Sequence, residues 1–115
     1  MMTIHNAHKP IPEGYTPIYV GHRTTYRPEF GADFSGLGNL FVIGRTGPRK
    51  EVIGLYEQWL QARLKTDVPQ TRLIQALVDR VQTGEKLLLI CWCAPLPCPA
   101  DVIKAEVERL VGRPL

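Results

Sequence analysis

Three cysteines lie close together near the end of the chain, in the segment CWCAPLPC of residues 91–98. A thiolate can act as a nucleophile, and its pKa falls beside the N-terminus of a helix. The apolar run KLLLICWC predicts a central strand over residues 86–93, and a helix is predicted from about Pro99 onward. Cys98 therefore lies at a strand-to-helix turn, where free backbone N–H groups favour anions, and we take it as the best candidate for a reactive residue.

Two further residues at this turn could contribute to chemistry. Side chains alternate along a strand, so Cys91 and Cys93 are expected to lie together on one face, with Trp92 on the other. Asp101, in the first turn of the predicted helix, either complements the helix dipole or acts as an acid–base group. The candidate catalytic residues are therefore Cys98, Asp101 and Cys93. Cysteines at such a place also serve as small buried side chains, and Asp101 has no evident partner, so an enzyme is not established.

The cysteines also raise the question of a metal site. The spacing supplies three thiolates, and His5, His8 or His22 could add a fourth ligand to zinc or iron. Structural zinc normally uses four ligands with paired C-x2-C spacing, which this chain lacks. No metal site is predicted, and the cofactor stays unassigned.

A long glycine-containing segment, HRTTYRPEFGADFSGLG, occupies residues 22–38. Loops of this length are usually functional or disordered, and we favour a functional one. It contains neither G-x-G-x-x-G nor G-x-x-x-x-G-K-[ST], so no nucleotide fingerprint is present. Its glycines could still bring backbone N–H groups close to a phosphate, with nearby arginines pairing the charge, although they could equally serve turn geometry alone. The candidate ligand-binding residues are Gly21, His22, Arg23, Gly36, Gly38, Asn39 and Arg45.

The elements that must position these residues follow from the apolar pattern. Short apolar runs predict strands over residues 17–21 and 39–43. Three-to-four spacing predicts helices over about residues 48–64, 71–83 and 99–112. Such alternation predicts an α/β fold with a short, mostly parallel sheet flanked by three main helices.

Composition and length limit the remaining choices. The chain has 115 residues, of which 44% are hydrophobic and 22% charged, and this fits one soluble domain. Residues 1–16 are polar and aperiodic, so we expect an N-terminal arm or flexible tail there and a single domain over residues 17–115. The sequence has no apolar run long enough to span a membrane and no evident secretory signal. Three cysteines are an odd number and do not form the spaced pairs of a disulfide-stabilised secreted domain. A cytoplasmic location is therefore expected. The net charge of +3 is scattered, which leaves nucleic-acid binding unsupported but not excluded.

Several motifs together resemble one protein family. The pattern YVGHR, then GNLF, then YEQWL and finally CWCAPLPCPADVI is similar to the domain of unknown function 4326 family of bacteria and their phages. Its members typically show Tyr-Ile-Gly-Arg, Gly-Asn-Pro-Phe and Cys-Trp-Cys followed by Pro-Cys-His. The resemblance runs from about residue 19 to residue 107 and implies a compact Rossmann-like domain of no established activity. By position, the motif residues are Gly21, Gly38, Asn39, Phe41, Cys91, Trp92, Cys93, Cys98 and Asp101.

The chain departs from the family pattern at three places. Pro99 replaces the His after the last Cys, Leu40 replaces the Pro of Gly-Asn-Pro-Phe, and His22 stands where Arg is usual. If the family chemistry uses a Cys–His pair, in which imidazole activates the thiol, this member is impaired or has become a binding protein.

Two hypotheses about function remain open at this point. The first is a small cytosolic domain that binds a nucleotide, nucleoside or similar phosphorylated ligand at the glycine-rich loop and the cysteine-containing turn, with thiol-assisted catalysis left open. The alternative is a non-catalytic, phage-derived interaction module that binds a host protein through Tyr26, Phe30 and Phe34. Neither requires a membrane.

Overall fold

The computed structural model describes residues 1–38, 41 and 44–115. In this part of the chain four strands form one parallel sheet in the order β1-β4-β2-β3, and three α-helices accompany it. The predicted α/β fold with a parallel sheet is confirmed, and the arrangement is Rossmann-like. The strands are β1 (Met2–Asn6), β2 (Thr16–Tyr19), β3 (Ala32–Asp33) and β4 (Leu87–Cys91), and the helices are α1 (Arg49–Arg63), α2 (Pro69–Gln82) and α3 (Pro99–Val111).

Strand β4 lies at the centre of the sheet, between β1 and β2. All five of its residues are buried, as the nearly continuous apolar run predicts for a strand covered on both sides. Leu87, Leu89 and Cys91 belong to one apolar cluster, whereas Leu88 and Ile90 belong to another. The two faces of the sheet are therefore packed by different parts of the chain.

One face, called here the helix face, is covered by all three helices. The 3.6-residue periodicity predicted these three helices and most of their buried side chains, but Leu55 and Leu110, which the same spacing places on the buried sides, are exposed. Helix α3 ends where predicted, because Gly112 adopts the left-handed conformation at φ 85° that stops a helix. The helical side chains in this cluster are Tyr56, Leu60, Ile74, Leu77, Val78, Val81, Ala100, Val102, Ile103 and Val107.

The opposite face, called here the loop face, is covered by two connections instead of helices. One follows β1 and contributes Ala7, Ile11 and Tyr15, and the other follows β2 and contributes Tyr26 and Phe30. Aromatic rings dominate this layer: Tyr19 stacks on Phe30 at 5.4 Å, and Phe30 meets Trp92 edge-on at 5.6 Å. Segments without any periodic pattern therefore complete the core of the protein.

The N-terminal segment differs from the arm or tail predicted over residues 1–16. Met2–Asn6 form β1, which pairs in parallel with β4 from Met2 opposite Leu87 to Asn6 opposite Cys91. Only Met2 of this strand is buried, because β1 lies at the edge of the sheet, and its mixed polar sequence therefore shows little alternation. The Met2 N–H points to the outer edge and donates to the Leu115 carbonyl at 3.5 Å.

Two other regions bear on the predicted elements. The strand predicted over residues 39–43 falls largely on residues 39, 40, 42 and 43, which lie outside the described residues. The long segment of residues 22–38 contains three short 3-10 turns and the two-residue strand β3. Within the described ranges, no helix is both long and apolar enough to cross a lipid bilayer.

Candidate functional site

The carboxyl ends of the four parallel strands meet at one edge of the sheet, called here the carboxyl edge. Most of the candidate residues follow these ends directly. Gly21, His22 and Arg23 come after β2, Gly36 and Gly38 come after β3, and Cys93 comes after β4. Most of the candidate residues predicted from the sequence therefore lie at the same edge of the sheet.

The chain leaves β2 and β4 toward opposite faces of the sheet. After β2 it covers the loop face with Tyr26 and Phe30, whereas after β4 it enters α3 on the helix face. Because β2 and β4 are neighbours, their connections diverge at the carboxyl edge, and the place between them is called here the crevice. In open α/β sheets this is the place where ligands usually bind.

The chain also diverges between β1 and β4, but there a side chain bridges the gap. The Asn6 Nδ2 donates to the Ala94 carbonyl at 2.6 Å and ties the end of β1 to the turn after β4. Asn6 lies in the segment predicted to be an arm or tail. A side chain also crosses between β4 and β2, where Trp92 Nε1 donates to the Tyr19 hydroxyl. The crevice between β2 and β4 is taken as the candidate because Gly21, His22 and Arg23 follow β2.

Gly21 and Gly38 pack against each other at this edge. A Cβ atom placed on Gly38 would lie 2.7 Å from the Gly21 carbonyl oxygen, and one placed on Gly21 would lie 2.5 Å from the Tyr19 hydroxyl. The contacts that require glycine here are made by the protein itself, so loop packing accounts for both positions. Gly36 is exposed, and its carbonyl accepts a hydrogen bond from Gln70 Nε2 at 3.1 Å.

Two fully buried tyrosines hold the loops around the crevice. On the loop face, Tyr19 donates its hydroxyl proton to the His22 carbonyl at 2.6 Å and accepts a bond from Trp92 Nε1 at 3.1 Å. On the helix face, Tyr56 donates to the Leu37 carbonyl at 2.5 Å. Burial raises the pKa of Tyr56, so its hydroxyl stays protonated as a donor. Each loop is fixed by one hydroxyl from beneath.

The cationic candidates lie at the surface. His22, Arg23 and Arg45 are exposed, and Asn39 falls outside the described residues. The structure adds Arg49, whose Nη1 donates to the Pro97 carbonyl at 2.8 Å, next to the cysteine-containing turn. Arg49 follows Pro48 in the first turn of the predicted helix, and this helix-start signal could have identified it.

A surface groove adjoins this contact. It has a volume of about 430 Å³ and is lined by Arg49, Lys50, Ile53 and Pro97. Two basic residues therefore flank an apolar floor, and the starts of α1 and α3 lie on either side of it. Helix N-termini favour anions, but the surface of the groove is almost wholly apolar and Asp101 already caps the start of α3.

The cysteines form a buried pair and a separate third thiol. The Sγ atoms of Cys91 and Cys98 lie 3.3 Å apart, and both side chains are buried. Cys93 packs against the same cluster as Cys91 and is half-buried. The predicted placement of Cys91 and Cys93 on one face is confirmed, but the thiol that contacts Cys91 is Cys98.

The two buried thiols share their protons unequally. The hydrogen bond from Cys98 and the backbone N–H groups of Cys93 and Ala94 lower the pKa of Cys91 from its ordinary value of 9.0 to about 6. The pKa of Cys98 is raised, chiefly because its proton is held against Cys91 and also because the group is buried. The two thiols titrate as one pair, so the expectation that the helix N-terminus makes Cys98 the acidic thiol stays a prediction.

Asp101 acts as a helix cap in the structure. Its Oδ2 accepts the backbone N–H of Cys98 at 2.8 Å, which satisfies a free donor at the start of α3. The carboxylate is otherwise exposed. Capping explains its position, and its catalytic role stays a prediction.

Within residues 1–38, 41 and 44–115, no three His, Cys, Asp or Glu side chains are grouped so that they could hold a metal ion.

The aromatic residues of the long loop pack into the protein. Phe30 and Phe34 are buried, and Tyr26 is half-buried with its hydroxyl donating to the Gly31 carbonyl at 2.5 Å. These three aromatic residues therefore build the core and do not form an exposed contact surface.

Comparison with known proteins adds one match. A family model described as a domain of unknown function, DUF4326, matches residues 6–109. The matched range includes the carboxyl edge of the sheet and all three cysteines. No curated protein and no solved structure matches the chain.

Proposed function

The chain belongs to the DUF4326 family, whose description assigns no activity, and we propose from its geometry that it binds a nucleotide, nucleoside or similar phosphorylated ligand at the carboxyl edge. The observation that carries this proposal is the divergence of the connections after β2 and β4. In parallel α/β sheets, nucleotides commonly bind where the connections after neighbouring strands diverge in this way.

Electrostatics at this edge favours an anionic group. Arg49 and Lys50 line the groove beside the start of α1. His22 and Arg23, which follow β2, are exposed, and so is Arg45. A phosphate could accept hydrogen bonds from arginine and from the first backbone N–H groups of a helix. We therefore assign the phosphate to the charged groups of Arg49 and Lys50 beside the groove, and the remainder of the ligand to the crevice.

Burial of the thiol pair limits the part that cysteines play in this function. Cys98 is fully buried, so a ligand could reach its sulfur only after the turn moves. Cys93 is the most exposed of the three thiols. A thiol-assisted reaction at this site is accordingly assigned to Cys93, while binding itself needs no thiol.

Thermal unfolding of the full chain tests the proposal. The panel consists of ATP, AMP, adenosine, ribose 5-phosphate and inorganic phosphate at millimolar concentration. A ligand that binds only the folded state at one hundred times its Kd stabilises it by about 2.7 kcal/mol, which raises Tm by several degrees. We expect a rise with at least one phosphorylated member of the panel.

The variant Arg49→Gln locates the binding site. It removes the charge beside Pro97 and should reduce the ligand-induced rise in Tm. Arg113→Gln is the matched control, because it removes the same charge beyond the end of α3, at the other edge of the sheet. Equal loss in both variants would indicate nonspecific attraction, and no rise with any member would reject the proposal.

A second candidate function, binding of a protein partner, is favoured by one exposed residue. Leu96 is 56% exposed at the tip of the cysteine-containing turn, between two exposed prolines. An apolar tip of this kind can insert into a pocket of another protein. A stoichiometric partner that co-purifies with wild type but not with Leu96→Ser, together with no ligand-induced stabilisation, would favour this function instead.

A further inference from the structure

The buried pair of Cys91 and Cys98 has a geometry that suits covalent chemistry. Its Sγ atoms are 3.3 Å apart, whereas a disulfide bond requires about 2.05 Å, so the sulfurs need to approach by about 1.3 Å. The two residues come from different elements, since Cys91 ends β4 and Cys98 directly precedes α3. A small shift of the turn between them is enough to bring the sulfurs to bonding distance.

We propose that Cys91 and Cys98 are a site of oxidative modification, at which hydrogen peroxide converts the two thiols into an intrachain disulfide bond. This inference does not depend on the proposed ligand. The bond closes the segment of residues 92–97 into a covalent loop, so that the turn at the carboxyl edge becomes tied to the central strand at both ends.

The reaction proceeds in two balanced steps. The Cys91 thiolate attacks one oxygen of the peroxide, the O–O bond breaks, and the departing hydroxide takes a proton to leave as water. The resulting sulfenic acid is then attacked by the sulfur of Cys98, the S–O bond breaks, and a second water leaves with the Cys98 proton. Two electrons pass from the sulfurs to the peroxide, and two thiols and one peroxide become one disulfide and two waters.

The surroundings of each sulfur fit these roles. Backbone N–H groups of Cys93 and Ala94 and the thiol of Cys98 stabilise negative charge on Cys91, which favours it as the attacking thiolate. Cys91 retains 6% of its surface, whereas Cys98 has none. A small uncharged oxidant can therefore reach Cys91 first, and Cys98 already lies in contact as the resolving thiol.

The experiment oxidises the folded, reduced full chain with hydrogen peroxide, removes the excess, denatures the protein and blocks free thiols with N-ethylmaleimide. Intact mass then counts the adducts. Reduced protein should carry three adducts, one for each cysteine, and oxidised protein should carry one, at Cys93. The Cys93→Ser variant should lose both of its adducts after oxidation.

Proteolysis assigns the bond independently of variants. Trypsin leaves all three cysteines on the peptide of residues 87–104, and chymotryptic cleavage after Trp92 then separates Cys91 from Cys93 and Cys98. A bond from Cys91 to Cys98 keeps the two pieces together until reductant is added, and fragmentation of the released piece of residues 93–104 then finds N-ethylmaleimide on Cys93 and not on Cys98.

The outcomes separate the proposed bond from its alternatives. Cys91→Ser should keep two adducts after oxidation, whereas Cys98→Ser should form no bond between Cys91 and Cys98 and should carry an added oxygen at Cys91 in place of an adduct. Retention of both thiols in oxidised, folded Cys93→Ser, or a bond in wild type that includes Cys93, would overturn the proposal. If the serine variants fail to fold, the cleavage pattern of wild type and the position of its one adduct still decide.

Discussion

The two faces of the sheet are equally buried but are built from different material. On the helix face, three regular helices present side chains at repeating intervals. On the loop face, two irregular connections present mainly aromatic rings around Tyr19 and Phe30. The difference suggests that the helix face supplies a rigid support, while the loop face carries one wall of the crevice between β2 and β4.

The contrast also concerns how each face fixes a loop at the carboxyl edge. Tyr56 reaches the Leu37 carbonyl from the helix face through one hydrogen bond. Tyr19 reaches the His22 carbonyl from the loop face and also shares bonds with Thr25 and Trp92. The connections on the loop face lack the regular backbone hydrogen bonds of a helix, and a network of side-chain hydrogen bonds around Tyr19 holds them instead.

The largest expected effect comes from truncating adjacent residues of β4. Leu89 and Ile90 are both fully buried and face the helix and loop layers, respectively. Each change to Ala should lower the free energy of unfolding by about 2–5 kcal/mol. Leu89→Ala should cost more, because helices cannot relax into the cavity as readily as loops. Urea unfolding measures both values, and a larger loss for Ile90→Ala would show that the loop face is the more rigid layer.

A smaller effect is expected from adding one methyl group at the crevice. Gly21→Ala places Cβ against the buried Tyr19 hydroxyl and should lower the free energy of unfolding by about 1–3 kcal/mol. Gly54→Ala is the matched control, since Gly54 lies inside α1 with open space around it and should gain about 0.5–1 kcal/mol. If Gly21→Ala proved neutral, the contact with Tyr19 would not constrain the loop.

Removing one hydroxyl from each face sharpens the comparison further. Tyr19→Phe and Tyr56→Phe leave the rings in place and should each cost about 1–2 kcal/mol in chemical unfolding. Tyr19→Phe should cost more, because its hydroxyl contacts three partners. Amide hydrogen exchange should accelerate near His22 in the first variant and near Leu37 in the second. Exchange that speeds up equally at both loops would mean that they do not move independently.

The smallest effect is a dependence of stability on pH, which comes from the thiol pair under the helix face. Because the pKa of Cys91 is lowered from 9.0 to about 6, the folded protein holds one proton fewer than the unfolded chain between about pH 6 and 9. Stability from this group is thus present at pH 9 and is lost as the pH falls through 6. Above pH 9 it declines again, since the raised pKa of Cys98 keeps a proton in the folded state.

Urea unfolding of reduced wild type and Cys91→Ser measures this term. The difference between the two in free energy of unfolding should grow as the pH rises from 6 to 9. Cys93→Ser should retain the wild-type slope. A Cys91→Ser slope equal to that of wild type would show that Cys91 does not carry the charge.

The sequence predicts the helix face well and the loop face poorly, for physical reasons. A helix buries every third or fourth residue, so its pattern is visible in one dimension, as in the α2 residues Ile74, Leu77 and Val81. Phe30 and Tyr26 are equally needed by the core, but nothing in an irregular connection repeats. Strand β1 was missed because an edge strand is buried on less of its surface than β4.

The residues of the candidate site were likewise predictable from the sequence only in part. The cysteine-containing turn and the glycines could be located from residue types alone, because they punctuate predicted elements. The contact between Cys91 and Cys98 depends on how the turn of residues 92–97 folds back, and strand alternation suggested Cys93 as the neighbour instead. Arg49 was missed because its contact with Pro97 spans 48 residues of sequence.

The edges of the sheet have a consequence for how the molecule behaves at high concentration. Open strand edges can recruit strands from other molecules and begin aggregation. Here β3 offers only two residues on one side, and on the other side the Leu115 carbonyl already accepts the outward Met2 N–H. One margin is therefore short and the other is covered at the two ends of β1, where Met2 and Asn6 have backbone partners, so the outward groups of Ile4 are the place at which another strand could pair.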